Sequence, residues 1–160
     1  IAYYTKVLEH RPASLIELAT IGSIADCQFT LAAQKNSAEL YRSAMNRYDL
    51  LLKRIDLPEA LRVMLHYKSG RCAEELDDVD TALKHYKAAT YSLVSKVSSS
   101  VALWGTKAVE AIVTIAEKAP LKSHVEDAVR ALQRLADAEL MEQEMVDERV
   151  RKLEKMKFKP

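Results

Sequence analysis

Glycine and proline are scarce in this chain, with three and four occurrences among 160 residues. An all-β fold of short strands needs many more turn residues, so the composition excludes one. Cysteine occurs only twice, at Cys27 and Cys72. Two cysteines within helical patterns do not make a disulfide framework, and we expect buried free thiols. The shortage of all three residue types favours a protein built from helices.

The sequence also lacks an excess of charge and a long apolar run. Lys and Arg number 24 against 23 Asp and Glu, so no global attraction to nucleic acid or to a membrane surface is expected. The densest apolar run covers residues 50–52, whereas a membrane span needs about 18 or more. With 49% hydrophobic and 29% charged residues, the composition is typical of one soluble globular domain. We expect it inside the cell, in the cytoplasm or the nucleus.

Helix starts are marked by a small polar residue that is followed three positions later by Glu, the capping-box pattern. The pattern occurs at Ser14 and Glu17, Asn36 and Glu39, Asp56 and Glu59, and Ser123 and Glu126. Apolar residues then recur at intervals of three and four. We therefore predict an all-α fold with six helices, at about 14–34, 37–55, 57–76, 81–97, 99–118 and 124–157. The end of another helix at 1–9 precedes them, which indicates a fragment of a longer chain.

One spacing of small and aromatic residues recurs along the chain. Each copy has a small residue, then Ala or Ser twelve positions later, an aromatic residue or Leu four further on, and Ala or Leu three beyond that. The copies are Ala25-Ser37-Tyr41-Ala44, Gly70-Ala82-Tyr86-Ala89 and Ala116-Ala128-Leu132-Leu135. Two helices approach closely only where side chains are small, and a ring fills the space beside the crossing. The repetition favours stacked helix hairpins, with a plain six-helix bundle as the alternative.

This pattern resembles the tetratricopeptide repeat (TPR), and the best copy reads YKSGRCAEELDDVDTALKHYKAA. Successive copies lie 45 and 46 residues apart, more than the roughly 34 of the ordinary repeat, so the resemblance is to a long-helix relative. It implies a TPR-like α-solenoid of antiparallel helix-hairpin repeats with a long C-terminal helix. A single domain would then cover 1–160, with repeats at about 14–55, 57–97 and 99–140 and a helical extension at 141–157.

The resemblance also implies a groove that holds a peptide or helix of a partner protein, lined by the first helix of each repeat. By register, the partner-binding residues would be Asp26, Phe29, Tyr67, Arg71 and Glu74. Tyr67 and Arg71 are of the types that dominate binding energy at interfaces, although Tyr67 packing between repeats is an equal alternative. Family members that clamp a chaperone's terminal carboxylate use Lys and Asn in the groove, where this chain has Gly22 and Asp26. That role is therefore disfavoured.

No motif for catalysis, for cofactor binding or for metal binding is present. The four histidines form no helical pair with an intervening Glu, and there is no CxxC, glycine-rich phosphate loop or GxSxG sequence. His66 and Cys72 lie six residues apart on one predicted helix and so on different faces. The carboxylates between Glu74 and Asp80 coincide with a helix end and the next helix start, where they act as caps. We predict that the protein is not an enzyme and needs no cofactor or metal.

The last predicted helix becomes strongly charged in its second half. From Arg149 to Lys159, six basic residues accompany one acidic residue, Glu154. In one interpretation these cations contact RNA phosphates, through Arg149, Arg151, Lys152 and Lys155, or acidic lipid. In the other they form a solvated helix end and complement its dipole.

Two functions follow as hypotheses. The first is a non-catalytic scaffold for protein–protein interaction within a larger multi-subunit assembly, using the groove, the last helix or both. The second is an RNA-associated helical-repeat subunit, in which Lys84, Lys87, Arg130 and Arg134 would share one face with the basic tail. Phosphate contacts would make its affinity fall steeply with salt, whereas a protein groove would not.

Overall fold

The computed structural model describes residues 1–9 and 14–156, which form eight helices and no strand. The helices are α1 Ala2–Glu9, α2 Ser14–Lys35, α3 Ala38–Leu52, α4 Glu59–Glu74, α5 Val79–Thr90, α6 Ser99–Lys118, α7 Lys122–Asp137 and α8 Gln143–Glu154. The predicted all-α class is confirmed. None of the helices in these ranges has both the length and the apolar surface that a membrane span requires.

Helix starts lie close to the predicted ones, although the capping residues partly differ. The Ser37 hydroxyl accepts the Leu40 N–H at 3.4 Å, and Asp78 accepts the Thr81 N–H at 3.1 Å. Ser37 thus caps α3 in place of the predicted Asn36. The predicted caps of α4 and α7 are wrong, because these helices follow Pro58 and Leu121 without a side-chain cap.

The predicted long C-terminal helix is wrong, because the chain turns between α7 and α8. Glu139 adopts a left-handed conformation with φ 58°, and the Leu140 N–H donates to the Leu135 carbonyl at 2.8 Å. Helix α8 then packs against α7 and buries Val146 and Leu153 almost completely. The two buried apolar side chains of α8 are therefore covered by the protein's own helices. The predicted end at Lys157 lies outside the described residues.

Each helix packs against the next, and contacts also join alternate helices, α4 with α6 and α5 with α7. Ion pairs also join alternate helices. Lys68 on α4 binds Asp26 on α2 at 2.7 Å, and Arg149 on α8 binds Glu110 on α6 at 2.6 Å. These contacts join α2, α4, α6 and α8 in succession, and we call them the even-numbered row. The 3.6 Å approach of His85 on α5 to Asp49 on α3 and the contacts of α5 with α7 join α3, α5 and α7, which we call the odd-numbered row.

The repeated small and aromatic positions are core positions. Eleven of the twelve are buried, and the twelfth, Ser37, caps α3. Gly70 lies against the ring of Tyr86, and a Cβ atom at Gly70 would come within 2.5 Å of Cε1 of that ring. The predicted close approach of helices at a small residue is therefore present in the second copy.

Candidate functional site

The predicted groove residues of α4 line a surface cleft between α4 and α6, with a volume of about 450 Å³. We call it the α4–α6 cleft. Its walls are Tyr67, Arg71 and Glu74 from α4 and Thr106, Lys107, Glu110, Ala111, Thr114 and Lys118 from α6. Its size lies within the range typical of ligand sites. Three of the five predicted partner-binding residues therefore lie together.

Tyr67 forms the aromatic floor of this region and is half-buried. Its ring centroid lies 5.9 Å from that of Tyr86 and 5.5 Å from that of Trp104. The residue thus packs between two helix pairs, as one of the two interpretations of its position expected, and still lines the cleft. Trp104 is half-buried, and Lys107 Nζ lies 4.5 Å from its ring centroid. This cation–π contact holds Lys107 above the aromatic floor.

Arg71 and Glu74 form a polar network at one side of the cleft. Arg71 binds Glu75 at 3.1 Å, and Glu74 accepts the Tyr86 hydroxyl at 2.7 Å. Burial opposes the charge on Arg71, but hydrogen bonds to Tyr67 and Glu75 outweigh it and raise the pKa of the guanidinium. Its Nε atom is buried without a hydrogen-bond partner. Nε nevertheless lies 3.7 Å from Glu74 Oε2, within ion-pair distance. Arg71 therefore stays charged and is engaged by both Glu74 and Glu75.

Lys107 and Lys118 give the α4–α6 cleft its positive character. No carboxylate in the described part of the chain lies within ion-pair distance of either ammonium group. The two acidic residues of the cleft are already engaged, since Glu74 binds Tyr86 and Glu110 binds Arg149. The cleft therefore combines two ammonium groups that have no carboxylate partner in the described residues with the half-buried Tyr67 ring.

Asp26 and Phe29 lie elsewhere, on α2. Asp26 accepts the Tyr48 hydroxyl at 2.6 Å and binds Lys68 at 2.7 Å, so its charge is balanced within the protein. Phe29 packs edge-on against Tyr41, with 5.4 Å between ring centroids. A second, more apolar cleft between α2 and α4 includes Asp26, Gly22 and Met64 and has a volume of about 320 Å³. Asp26 therefore borders a groove, while Phe29 is part of the first hairpin's core.

The four basic residues predicted to contact nucleic acid are largely engaged with neighbours. Arg149 binds Glu110 through two nitrogens at 2.6 and 2.7 Å, Lys152 binds Glu148 at 3.1 Å, and Arg151 donates to the Asp147 carbonyl. Lys155, just after α8, is exposed. Glu110 holds Arg149 in its charged form and raises its pKa. The basic tail is therefore not a continuous surface of unpaired cations over 149–156.

A second charged cleft, between α5 and α7, was only partly foreseen. Its lining residues are Lys87, Thr90, Tyr91, Asp127, Arg130, Ala131 and Arg134, around a volume of about 210 Å³. The sequence predicts one face that holds Lys84, Lys87, Arg130, Arg134 and the basic tail. Lys87, Arg130 and Arg134 line this cleft, whereas Lys84 and residues 149–156 do not. Asp127 and Tyr91 were missed, because a helical register alone does not show which carboxylate or ring lies opposite on another helix.

Histidine and cysteine form no metal site in the ranges the structure covers. His66 Nδ1 lies 3.2 Å from His85 Nδ1, and His85 Nε2 lies 3.6 Å from Asp49. This pairing was also missed, since no motif links residues of two different helices. Both cysteines are free, with Cys72 buried and Cys27 half-buried. Burial raises the pKa of the Cys72 thiol to about 12, so it stays protonated at neutral pH.

No protein-family model, no curated protein and no solved structure was found to match this chain.

Proposed function

We propose that this chain is a non-catalytic scaffold for protein–protein interaction, built from TPR-like helix-hairpin repeats of the long-helix kind within a larger assembly. The burial of the repeated positions and the contacts between alternate helices support the repeat architecture. In that architecture the even-numbered helices are the first helices of their repeats. They would form the face that receives a partner, as a single solenoid surface.

The observation that carries the proposal is the α4–α6 cleft itself. The Tyr67 ring, packed against Trp104, lines it, and Lys107 and Lys118 line it without a carboxylate partner in the described chain. Aromatic and cationic groups around a concave site are the usual anchors of peptide binding. The partner segment would be a peptide or helix that places an apolar side chain on the rings and a carboxylate near the lysines.

The test is affinity capture with the purified chain and with two cleft variants. Lys107→Glu reverses the charge over Trp104, and Thr114→Arg fills the cleft with a long side chain. Lys84→Glu is the matched control, because Lys84 is exposed on α5, in the other row of helices. We expect a defined set of proteins that survives nuclease treatment, is lost with both cleft variants and is retained by the control. Equal capture by all variants, each shown by circular dichroism to be folded, would contradict the proposal.

An RNA-associated subunit is the second candidate, and one observation favours it. Lys87, Arg130 and Arg134 gather around the α5–α7 cleft. The engaged state of Arg149 and Lys152 weighs against an extended track of cations, which a polyanion would need. Capture that disappears on nuclease treatment and declines steeply with salt would favour this candidate over the scaffold.

A further inference from the structure

The α5–α7 cleft lies in the row of odd-numbered helices and is separate from the proposed partner groove. Lys87, Arg130 and Arg134 contribute three positive charges, and Asp127 contributes the one negative charge of its lining. The local balance is therefore positive by two in a chain whose formal net charge is only +1. Such a local excess attracts an anion without any contribution from the rest of the molecule.

Asp127 is the buried carboxylate that binds two of the cleft's three cations. It is 9% exposed, and its two oxygens bind Lys87 Nζ at 2.9 Å and Arg130 at 2.7 Å. Burial opposes its charge, but these two cations outweigh burial and lower the pKa of the carboxyl. Asp127 thus stays ionised at neutral pH and holds both cations in place. Side chains that are already ordered lose less entropy when a ligand arrives.

Arg134 is the group best placed to recognise the anion. Its guanidinium lies 4.7 Å from the centroid of the Tyr91 ring, and no carboxylate in the described ranges pairs with it. A guanidinium that is held over a ring and has no carboxylate partner keeps N–H donors available, and its planar fork matches two oxygens of a phosphate or carboxylate. The Arg130 guanidinium uses one nitrogen on Asp127 and lies in the same lining.

The volume and net charge of the cleft indicate which kind of anion fits it. Its volume of about 210 Å³ is below the range of roughly 300–1,000 Å³ typical of whole small-molecule ligands, so it suits a single anionic group. A phosphate monoester carries about −1.5 to −2 charges at pH 7 and three acceptor oxygens. That charge matches the local excess of two. A carboxylate would neutralise only half of it.

We propose that the α5–α7 cleft binds the phosphoryl group of a phosphoserine or phosphothreonine in a partner protein. A peptide is favoured over RNA because the site is isolated. RNA presents a phosphate at every nucleotide and would need further unpaired cations along its path, whereas Arg149 and Lys152 are bound to Glu110 and Glu148. The proposal therefore adds a second, phosphorylation-dependent contact on a surface distinct from the α4–α6 cleft.

The test is fluorescence anisotropy with an oriented peptide library that carries a fixed phosphothreonine, beside the same library with threonine. We expect binding of the phosphorylated library only, with inorganic phosphate as a competitor. Arg134→Gln should weaken binding about tenfold, because it removes charge-assisted hydrogen bonds. Lys35→Gln is the matched control, since it removes one exposed cation from α2, outside the lining of this cleft, and should leave affinity unchanged.

Two further measurements test whether Arg134 acts through its planar fork and whether the site binds nucleic acid instead of a phosphopeptide. Arg134→Lys keeps the charge and loses the planar fork, so it should bind more weakly than the parent chain and more tightly than Arg134→Gln. A ten-residue oligouridylate tests the nucleic acid alternative. Binding of the oligouridylate alone, equal binding of both peptide libraries, or unchanged affinity in a folded Arg134→Gln variant would each overturn the proposal. Lys107→Glu should bind the phosphorylated library normally, which separates this site from the α4–α6 cleft.

Discussion

Gly70 shows at the scale of a residue how a small side chain permits two helices to pack. The Tyr86 ring lies where a Cβ atom of residue 70 would point, and Tyr86 itself is fully buried and bound to Glu74 through its hydroxyl. The ring therefore cannot move aside without breaking a hydrogen bond and disturbing the core. Gly22 differs, because its Cβ would meet only Leu51 Cδ1, at an ordinary 3.8 Å.

Alanine at these two glycines should consequently have opposite effects. Gly70→Ala forces an overpacked contact and should lower the free energy of unfolding by about 1–3 kcal/mol. Gly22→Ala adds helix propensity within α2 without a clash and should raise it by about 0.5–1 kcal/mol. Urea unfolding of both variants beside the parent chain measures the difference. A Gly70→Ala variant as stable as the parent would show that Tyr86 can shift freely.

The His66–His85 pair is a second residue-scale feature, and it makes stability depend on pH. One Nδ1 donates to the other, so at least one ring must be neutral. Burial, the neighbouring His85 and Arg62 lower the pKa of His66 to about 4. Burial also lowers the pKa of His85, with Asp49 opposing and Lys84 reinforcing the shift. Because both folded pKa values lie below the ordinary value near 6.5, the unfolded chain takes up protons first as pH falls.

Stability should therefore be fully present above about pH 7 and decline as pH falls through 6.5 towards 4. We expect the free energy of unfolding to drop by about 1–2 kcal/mol between pH 7 and pH 5, measured by urea unfolding at each pH. His66→Gln removes one of the two groups and should flatten this dependence. The same free energy at both pH values in the parent chain would contradict the prediction.

At the scale of elements, three helices end in the same way without glycine. Asn36, Asp77 and Glu139 have φ of 49°, 57° and 58°, and the next residue donates five positions back, to Ala32, Ala73 and Leu135 respectively. These are Schellman-type ends, which most often use glycine at the left-handed position. The side chains accept some backbone strain because the following segments are held by packing.

The cost of a left-handed residue other than glycine can be tested at Glu139, which lies between α7 and α8. Glu139→Gly removes the cost of the left-handed conformation for a side chain and should raise the free energy of unfolding by about 0.5–1 kcal/mol. Glu139→Val places a β-branched residue there and should lower it. Glu126→Gly, at an exposed position inside α7, is the control and should be destabilising by about 1 kcal/mol. Thermal unfolding of the three variants and the parent chain ranks their stabilities. A Glu139→Gly variant less stable than the parent would contradict the prediction.

The missing glycine also explains why the long C-terminal helix was predicted wrongly. A Glu in the middle of 137–142 carries no stop signal, and the residues on either side continue a helical apolar pattern. The turn becomes favourable only because α8 can then bury Val146 and Leu153 and place Arg149 on Glu110. This stabilisation arises from contacts of α8 with α6 and α7, and the sequence around residue 139 does not reveal such contacts.

At the scale of the whole molecule, ion pairs connect alternate helices within each row. Asp26 with Lys68 and Glu110 with Arg149 lie in the even-numbered row, while Lys87 on α5 and Asp127 on α7 lie in the odd-numbered one. The α4–α6 contact instead rests on Tyr67 and Trp104. Within the described residues, Lys107 and Lys118 are therefore left without carboxylate partners, and the proposed partner site in the α4–α6 cleft rests on this.

The sequence alone determined the helical class, most helix starts and the burial of the recurring small and aromatic positions, because these depend on local propensity, capping and periodicity. It also placed Tyr67, Arg71 and Glu74 on one helix face. Only the tertiary structure decided which charges remain available, since Asp26 and Arg149 are neutralised by residues 42 and 39 positions away. The tertiary structure likewise placed Asp127 within hydrogen-bond distance of Lys87 and Arg130. Such pairings depend on how helices stack, and a one-dimensional pattern records periodicity within a helix but not the partner that the next helix presents.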